Sequence, residues 1–220
     1  MTAGGSPETL PGLLVVVSGP SGVGKGTVHE RVRAALPGSQ LSVSATTRAP
    51  RPGEIDGVHY HFVDAARFDQ LVAEEALLEH ARYAGHCYGT PHAHIREAVD
   101  AGHVVVLDIE VQGAVQVRDR VPDSLLVFLA PPSLEELEAR LRGRGTEDDD
   151  AVDRRLDTAR RELAQSRHFD AVVVNDDLDR CVAEVLDLIE AARQERARAG
   201  SGRAGSGRAG SGRAGSDWAG

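Results

Sequence analysis

Short apolar runs rich in β-branched residues alternate along this chain with longer segments in which apolar residues recur every three or four positions. The runs are typical of buried strands, and the longer segments are typical of amphipathic helices. Their alternation predicts an α/β fold in which a mainly parallel sheet is flanked by helices. We predict strands at Leu13–Val17, Val104–Leu107, Leu125–Leu129 and Ala171–Val174. We predict helices at Val28–Leu36, His92–Asp100, Leu134–Arg142, Asp150–Ser166 and Leu178–Arg198.

The segment from Leu41 to Gly89 departs from this alternation. Its strand-like pieces, Leu41–Ala45 and Val58–Val63, are separated by prolines and a glycine. We interpret the segment as a substrate-binding insertion outside the parallel sheet. The predicted divisions of the chain are a flexible N-terminus at 1–12, a domain at 13–198 with its core at 13–40, 91–132 and 168–198, the insertion at 41–90, and a tail at 199–220.

The predicted tail repeats Gly-Ser-Gly-Arg-Ala and offers no apolar face for burial. We therefore expect residues 199–220 to be disordered, since such a segment cannot compensate for the loss of chain entropy on folding. A dispensable solvated extension is the simpler interpretation. The alternative is a weak arm that binds an anionic partner through its arginines.

Charge and composition exclude several classes of protein. The 220 residues carry a formal net charge of −9, which argues against nucleic acid as a partner. No apolar run approaches the length that crosses a membrane, and no signal peptide is evident at the N-terminus. Two cysteines are too few for a disulfide framework. We expect a cytoplasmic protein with neither nucleic-acid nor membrane partners, and the sequence leaves its oligomeric state open.

A glycine-rich loop lies between the first predicted strand and the first predicted helix. In this position backbone N–H groups turn inward around an anion, and the helix N-terminus adds the positive end of its dipole. A lysine supplies a point charge for the outer phosphates. We predict a nucleotide-phosphate loop, with an ordinary tight turn as the alternative. Its residues are Gly19, Pro20, Ser21, Gly22, Val23, Gly24, Lys25, Gly26 and Thr27.

One position of this loop departs from the usual pattern. Ser or Thr normally follows the lysine and binds Mg²⁺ through its hydroxyl, whereas this chain has Gly26. Thr27 lies about 100° further around the helix and is no direct substitute. The loop resembles that of adenylate kinases, in which the metal relies more on phosphate oxygens, waters and carboxylates. Asp108 ends an apolar strand and is the predicted carboxylate for Mg²⁺, acting through water, although many strands end in Asp.

Two arginines lie three residues apart in a loop that prolines restrict. Arg48 and Arg51 are suited to grip one phosphate with several charge-assisted hydrogen bonds. Two solvent-exposed surface arginines are the alternative interpretation.

Paired histidines and one cysteine are further candidates, for a metal site and for a reactive thiol. His59 and His61 share one side of a predicted strand, and His92 and His94 form a similar pair, but no acid or cysteine completes a metal site. We therefore expect no metal at the histidines. Cys87 is expected to be a plain buried cysteine, with a modifiable thiol as the alternative.

Four motifs follow one another in an order that identifies a family. GPSGxGK is followed by SVSxTTRxPRxGExxGxxYxF, then by a glutamate ahead of a Tyr-Gly-Thr element, and then by GRGTE. Over Leu13–Ile189 the chain resembles guanylate kinase. The resemblance implies that Glu79 reads guanine, because a carboxylate accepts two hydrogen bonds and guanine offers two parallel donors. It further implies that the GMP phosphate is held by Arg48, Arg51, Tyr60 and Tyr88, and that the base is contacted by Ser44, Thr90 and Glu110.

The resemblance also implies a lid at about 133–167 that closes over the transferring phosphoryl group. Arginines from a closing lid stabilise the charge that spreads over the equatorial phosphate oxygens. Arg144 and Arg155 are assigned to this role, and with Lys25 they are the predicted catalytic residues. For Arg140 two interpretations remain open, a lid residue or a basic helix end that completes its dipole.

The predicted activity is the ATP-dependent phosphorylation of GMP to GDP, with Mg²⁺ as cofactor. Asn175, which follows the last predicted strand, is the candidate contact with the adenine of ATP. One alternative is a related kinase with another acceptor, such as a phosphorylated sugar. A second is a noncatalytic module of the same family that binds phosphopeptides in the former GMP pocket.

Overall fold

The computed structural model describes residues 10–83, 85–143 and 149–204, through which strands and helices alternate. The strands are β1 (Leu13–Ser18), β2 (Gln40–Leu41), β3 (Ala45–Thr46), β4 (His61–Phe62), β5 (Leu77–Tyr83), β6 (His86–Pro91), β7 (Val104–Asp108), β8 (Leu125–Ala130) and β9 (Ala171–Val174). The α-helices are α1 (Lys25–Ala35), α2 (Ala65–Ala73), α3 (Ala93–Asp100), α4 (Val111–Arg120), α5 (Leu134–Arg142), α6 (Asp149–Leu163) and α7 (Leu178–Ala204). All the predicted helices are present, whereas α2 and α4 were not predicted.

Five strands form a parallel sheet in the order β2-β7-β1-β8-β9. Four of them are the predicted apolar runs, and the predicted fold class is confirmed. Side chains of β1 alternate between two cores. Val15 and Val17 pack in the cluster that includes residues of α1 and α7, while Leu14 and Val16 pack in the cluster that includes residues of α3 and α4. The helices on both faces explain why β1 is apolar and buried throughout.

The segment 41–90 contains α2 and the strands of a second sheet, with four strands in the order β4-β3-β6-β5. The strand β6 pairs antiparallel with both β3 and β5, and the sheet has a small buried cluster of its own. The predicted boundary is wrong at its first residue. Leu41 belongs with Gln40 to β2, where it pairs with Val106 in the parallel sheet. The chain completes the edge of the parallel sheet before it enters the second one.

The helices α5 and α6 pack against each other beside the glycine-rich loop. The helix α5 begins with a side-chain cap, since the N–H of Glu136 donates to Ser133 Oγ at 3.1 Å. The helix α6 ends at Leu163, short of the predicted Ser166, and a 3₁₀ helix follows it at Ser166–His168. Arg144 lies outside the described residues. The two helices share a buried cluster of Leu137, Leu141, Val152, Leu156 and Ala159.

The last helix, α7, continues to Ala204, past the predicted end at Arg198. The predicted disorder is therefore wrong for residues 199–204. An established helix gains one hydrogen bond for each added residue without a new nucleation cost, so it extends into a segment that has no apolar face of its own. Residues 205–220 lie outside the described residues. None of the helices in the described part of the chain combines the length and apolar character needed to span a bilayer.

Two arginines join α7 to the segment that precedes β1. Arg193 donates from Nε to the Pro11 carbonyl and from Nη2 to the Leu10 carbonyl, at 3.0 Å in each case. Arg196 donates from Nη1 to the Gly12 carbonyl at 2.7 Å. The carboxyl-terminal part of α7 therefore lies near the amino end of β1, whereas the glycine-rich loop follows the carboxyl end of the same strand.

Candidate active site

The glycine-rich loop leaves the carboxyl end of β1 and enters α1 at Lys25. Gly24, directly before the helix, has a φ of 101°, and a Cβ atom there would come within 2.6 Å of Asn175 Nδ2. Both the conformation and the close approach require glycine. The Lys25 ammonium donates to the Gly19 carbonyl at 2.6 Å and lies 3.4 Å from the Pro20 carbonyl. The cation is therefore held against the loop that is predicted to bind phosphate.

Two side chains from distant segments fix the loop. Asn175, directly after β9, is 8% exposed, and its Nδ2 donates to the Val23 carbonyl at 2.7 Å. Arg140 of α5 donates from Nη2 to the Asn175 carbonyl at 3.1 Å, and its Nη1 lies 3.5 Å from the Val23 carbonyl. The amide donor of Asn175, predicted to contact adenine, is thus engaged by the loop. Arg140 contacts the same loop and its neighbour Asn175. Neither of its two predicted roles, a lid residue or a charge at a helix end, included this contact.

The predicted metal carboxylate lies beside the loop. Asp108 ends β7 and pairs with Val17 near the end of β1, and its side chain is 41% exposed. A Cβ atom placed on Gly26 meets no atom within 4 Å, so the space around it is open. Among the described residues no three His, Cys, Asp or Glu side chains converge on a possible metal site. The arrangement fits Mg²⁺, which takes one or two carboxylates and completes its shell with phosphate oxygens and water.

A buried carboxylate occupies the second sheet. The register of β5 and β6 sets Glu79 opposite Thr90, and the Thr90 hydroxyl donates to Glu79 Oε1 at 2.6 Å. Ser44 Oγ lies 3.3 Å from the same hydroxyl. Glu79 is 5% exposed, and a Cβ atom on Gly113 of α4 would come within 2.7 Å of Glu79 Oε2. The structure thus brings together three of the residues predicted to bind the base.

Burial raises the pKa of Glu79 above its ordinary value. The hydrogen bond from Thr90 acts in the opposite direction, and the negative charge of Glu110 reinforces the effect of burial. Glu110 lies at the N-cap of α4, so the fourth predicted base residue also faces this pocket. The Thr90 hydroxyl favours the ionised form of Glu79, and only that form accepts hydrogen bonds at both oxygens from two parallel donors.

Arg48 is oriented by a carboxylate to which the sequence analysis gave no role. Its Nη1 and Nη2 donate to the two oxygens of Glu54 at 2.9 and 2.8 Å. The Arg51 backbone N–H donates to the same carboxylate at 2.7 Å. The Arg48 hydrogen bond, reinforced by that N–H, lowers the pKa of Glu54 to about 2, and Glu54 in turn raises the pKa of Arg48. This bidentate pair fixes the guanidinium in one orientation.

Aromatic rings complete the surroundings of Arg48. The guanidinium carbon lies 5.4 Å from the centroid of the Tyr60 ring, and the Tyr88 ring meets Tyr60 edge-on at 6.1 Å. Three of the residues predicted to hold the GMP phosphate are thus neighbours. Arg51, the fourth of these residues, lies in the adjoining loop, and its side chain is exposed.

Threonine side chains attach the Arg48 loop to β6. Thr46 Oγ1 donates to the Cys87 carbonyl at 3.0 Å and accepts from the Arg48 N–H at 3.2 Å. Thr47 Oγ1 accepts from the Cys87 N–H at 2.9 Å. Cys87 itself is half-buried and packs against the small core of the second sheet, which agrees with the expectation of a packing role.

His59, one of the histidines that could have bound a metal, accepts a hydrogen bond at Nδ1 from the Ile55 backbone N–H, at 3.0 Å.

A further acidic side chain, Glu162 of α6, lies between the two parts of the site. Its Oε2 is buried and has no hydrogen-bond partner in the part of the chain that the structure describes. Burial raises the pKa of Glu162 to about 7, with Lys25 acting against the increase and Glu110 adding to it. Since Lys25 belongs to the phosphate loop and Glu110 to the base pocket, Glu162 marks the region where they meet. Arg155, a predicted lid residue, lies on the same helix and is half-buried.

Sequence reasoning missed three residues at this site. Glu54 carried a signal, since it stands in the motif that contains both arginines of the predicted phosphate grip. Gly113 and Glu162 carried none, because each is an ordinary residue of a helix whose importance depends on what another segment places against it.

Similar proteins are found by sequence and by structure. A family model described as guanylate kinase matches residues 12–192. A guanylate kinase from Synechococcus sp. (strain CC9311) is 56% identical over 170 residues, which cover 77% of this chain and 90% of the relative. A guanylate kinase from Thermobifida fusca (strain YX) is 54% identical over 187 residues, which cover 85% and 95%. The crystal structure of guanylate kinase from Anaplasma phagocytophilum is 30% identical, has a TM-score of 0.66, and matches 84% of this chain and 87% of that one.

Proposed function

The chain belongs to the guanylate kinase family, and on that premise we propose how its residues carry out the reaction. The enzyme is an ATP-dependent kinase that transfers the γ-phosphoryl group of ATP to GMP, which gives ADP and GDP. The observation that carries our assignment of residues is the buried Glu79 carboxylate. Thr90 donates a hydrogen bond to it, which favours the ionised form against the effect of burial, and Glu162 interacts electrostatically with both Lys25 of the phosphate loop and Glu110 of this pocket.

The phosphate loop binds the triphosphate of ATP. The residues of 19–27 other than Pro20 offer their backbone N–H groups around the start of α1. Lys25, which contacts the Gly19 carbonyl in this structure, would turn to the β- and γ-phosphates. Asp108 would hold Mg²⁺ through water, and the metal would supply positive charge that stabilises the phosphate groups during the transfer. Asn175 and Arg140 keep the loop in its binding conformation, which reduces the ordering that ATP must otherwise supply.

The second sheet binds GMP. Glu79 accepts the two guanine donors, with Ser44, Thr90 and Glu110 around the base. Adenine offers no such pair of donors, so the buried carboxylate would keep only its bond from Thr90, and a buried acceptor left without its partner disfavours the wrong base strongly. The residues that we assign to the GMP phosphate are Arg48, Arg51, Tyr60 and Tyr88.

Positioning and charge stabilisation account for the transfer. The attacking oxygen belongs to a phosphate that is already anionic, so no general base is required. Arg144 and Arg155, with Lys25, stabilise the charge on the transferring group when the lid at about 133–167 closes. Closure also excludes water, which would otherwise hydrolyse ATP.

Several broader assignments accompany this proposal. The parallel sheet and its helices form the core, the segment 41–90 is the GMP-binding insertion, and the remaining N-terminal residues and tail lie outside the catalytic domain. We propose a cytoplasmic enzyme whose partners are ATP and GMP, without nucleic acid or membrane, in keeping with its net charge of −9.

A comparison of acceptors tests the assignment. ADP formation from ATP and Mg²⁺ is followed in a coupled assay with GMP, AMP, CMP and UMP in turn. We expect turnover with GMP alone. Turnover with AMP, CMP or UMP, or with a phosphorylated sugar added to the series, would remove Glu79, Thr90 and Ser44 from base recognition. GMP binding without turnover would favour a noncatalytic binding module.

A further inference from the structure

The helix that follows the phosphate loop carries an unusual pair of residues. Gly26 lacks the hydroxyl that the phosphate-loop pattern supplies to Mg²⁺ at this position. His29 follows one turn later, on the same side of α1. The helix α1 packs against both β1 and β7, so this side faces the strand that ends in Asp108.

His29 is a costly residue to bury at this place. It is 8% exposed, and neither ring nitrogen has a hydrogen-bond partner of normal geometry within the described residues. Its immediate neighbours on the buried side, Val28 and Val32, are apolar members of the main core. An aliphatic side chain would satisfy this position without leaving polar atoms unpaired.

The imidazole lies near the Val17 backbone and near one carboxylate, Asp108, the latter at a distance longer than a hydrogen bond. His29 Nε2 lies 3.8 Å from Asp108 Oδ1, while the Asp108 side chain remains 41% exposed on its other side. Asp108 is therefore approached by a ring from within the fold and is open towards the loop. In metal sites, a polar side chain that contacts the outer atom of a ligating carboxylate fixes the direction of that carboxylate.

We propose that His29 is a positioning residue for Asp108. The imidazole directs the Asp108 carboxylate towards the Mg²⁺ that accompanies ATP, and so compensates in part for the metal-binding hydroxyl that position 26 lacks. The proposal rests on the role assigned to Asp108 under the proposed function. The proposal connects two features of this chain: the absence of Ser or Thr at position 26, and a buried polar residue, His29, where an aliphatic residue would pack as well.

Metal binding without turnover is the first test. MnCl₂ is titrated into the full chain with ADP, and free Mn²⁺ is counted by electron paramagnetic resonance, with ADP alone as the baseline. We expect His29→Leu to weaken Mn²⁺ binding about tenfold, as for other residues that orient a metal ligand. His29→Gln, which retains a donor, should restore most of the affinity. The Tm of His29→Leu should rise, since the variant removes unpaired buried nitrogens.

A double-mutant cycle isolates the link to position 26. Gly26→Ser fits without a clash, because no atom lies within 4 Å of the added Cβ. It should recover Mn²⁺ affinity in the His29→Leu background more than it improves the unaltered chain. Gly26→Ala is the matched control, since it gives α1 at least as large a gain in helix propensity without a hydroxyl. It should recover nothing.

The outcomes separate this inference from the proposed function. Equal Mn²⁺ affinity in the unaltered chain and in His29→Leu, with a higher Tm in the variant, would overturn the positioning role and leave a metal-dependent enzyme. Equal effects of Gly26→Ser in both backgrounds would also overturn it. An unaltered chain that binds no Mn²⁺ with ADP would overturn the role of Asp108 as well. If His29→Leu does not fold, His29→Met gives the same comparison with similar side-chain volume.

Discussion

The proposed phosphate loop and the proposed base pocket of this enzyme are built in opposite ways. The loop is one continuous stretch, 19–27, that offers mainly backbone groups at the end of one strand. The pocket draws single residues from three elements, with Glu79 on β5, Thr90 on β6 and Gly113 on α4. A phosphate can be bound by local backbone geometry, whereas a base is read only where the register of separate segments is correct. Substitutions should therefore affect the two regions differently.

Removal of the loop's charge should have the largest effect. Lys25→Met deletes the cation that contacts the outer phosphates, and we expect kcat to fall about a thousandfold, the scale of a lost preorganised charge contact in a transition state. The measurement is steady-state ADP formation. GMP binding by calorimetry should be unchanged, because the pocket does not include Lys25. A variant within tenfold of the original kcat would contradict the assignment of the loop.

Neutralisation of the buried carboxylate should separate the two regions most clearly. Glu79→Gln keeps the shape but turns one acceptor into a donor that faces guanine. We expect kcat/KM for GMP to fall about a hundredfold, because hydrogen bonds to a charged group are lost, while the KM for ATP stays constant. Equal changes for both substrates would show that Glu79 supports the fold rather than the base.

A methyl group added behind that carboxylate tests the register itself. Gly113→Ala would place a Cβ atom 2.7 Å from Glu79 Oε2, so the carboxylate must shift. We expect the KM for GMP to rise about tenfold, since a misplaced hydrogen-bonding group loses about one bond's worth of binding. Gly200→Ala is the control, because it adds the same group to α7 where no atom lies within 4 Å. An unchanged KM for Gly113→Ala would show that the pocket is plastic.

The loop also depends on one contact from a distant segment, which sharpens the comparison. Asn175→Ala removes the donor to the Val23 carbonyl and should raise the KM for ATP about fivefold, equivalent to about 1 kcal/mol for a lost hydrogen bond. Initial rates at varied ATP measure it. A lower Tm with an unchanged KM for ATP would assign Asn175 to stability alone, whereas loss of adenine discrimination would return it to its predicted role.

The last prediction concerns stability rather than catalysis, at Glu162. Glu162 has a pKa of about 7 in the folded chain and 4.5 as its ordinary value, so the folded state binds more protons between these values. The contribution of Glu162 to the free energy of unfolding is therefore most favourable below pH 4.5 and is lost as the pH rises through 7. Glu162→Gln cannot ionise, so it should match the original chain at pH 5 and exceed it at pH 8, by at most about 3 kcal/mol. Urea denaturation at both pH values measures the difference, and equal differences would refute the linkage.

The same contrast explains what the sequence could predict. The loop was predictable from residues 19–27 alone, because strand, glycines, lysine and helix are contiguous. The parallel sheet followed from its apolar runs, and α5 and β9 end where they were predicted to end. The insertion's strands are short and depend on partners far along the chain, so their bounds were less accurate.

The base pocket was predictable only through family resemblance. Nothing local distinguishes Glu79 from other strand carboxylates, and its burial and hydrogen bond arise from pairing with β6. Asn175 was predicted to contact adenine, whereas its amide partner in the structure, the Val23 carbonyl, lies in a distant segment. Gly113 and Glu162 depend on the packing of α4 and α6 against the site, which no single segment of sequence encodes.

The contact between α7 and the start of β1 has a consequence for protein engineering. Arg193 and Arg196 hold the carbonyls of residues 10–12, so two segments at opposite ends of the catalytic domain are already neighbours, on the edge of the sheet away from the nucleotides. A short covalent linker between them would span little distance, and new termini could be opened in an exposed loop elsewhere. A circularly permuted kinase, or one tethered to a surface by α7, would keep its substrate side unobstructed.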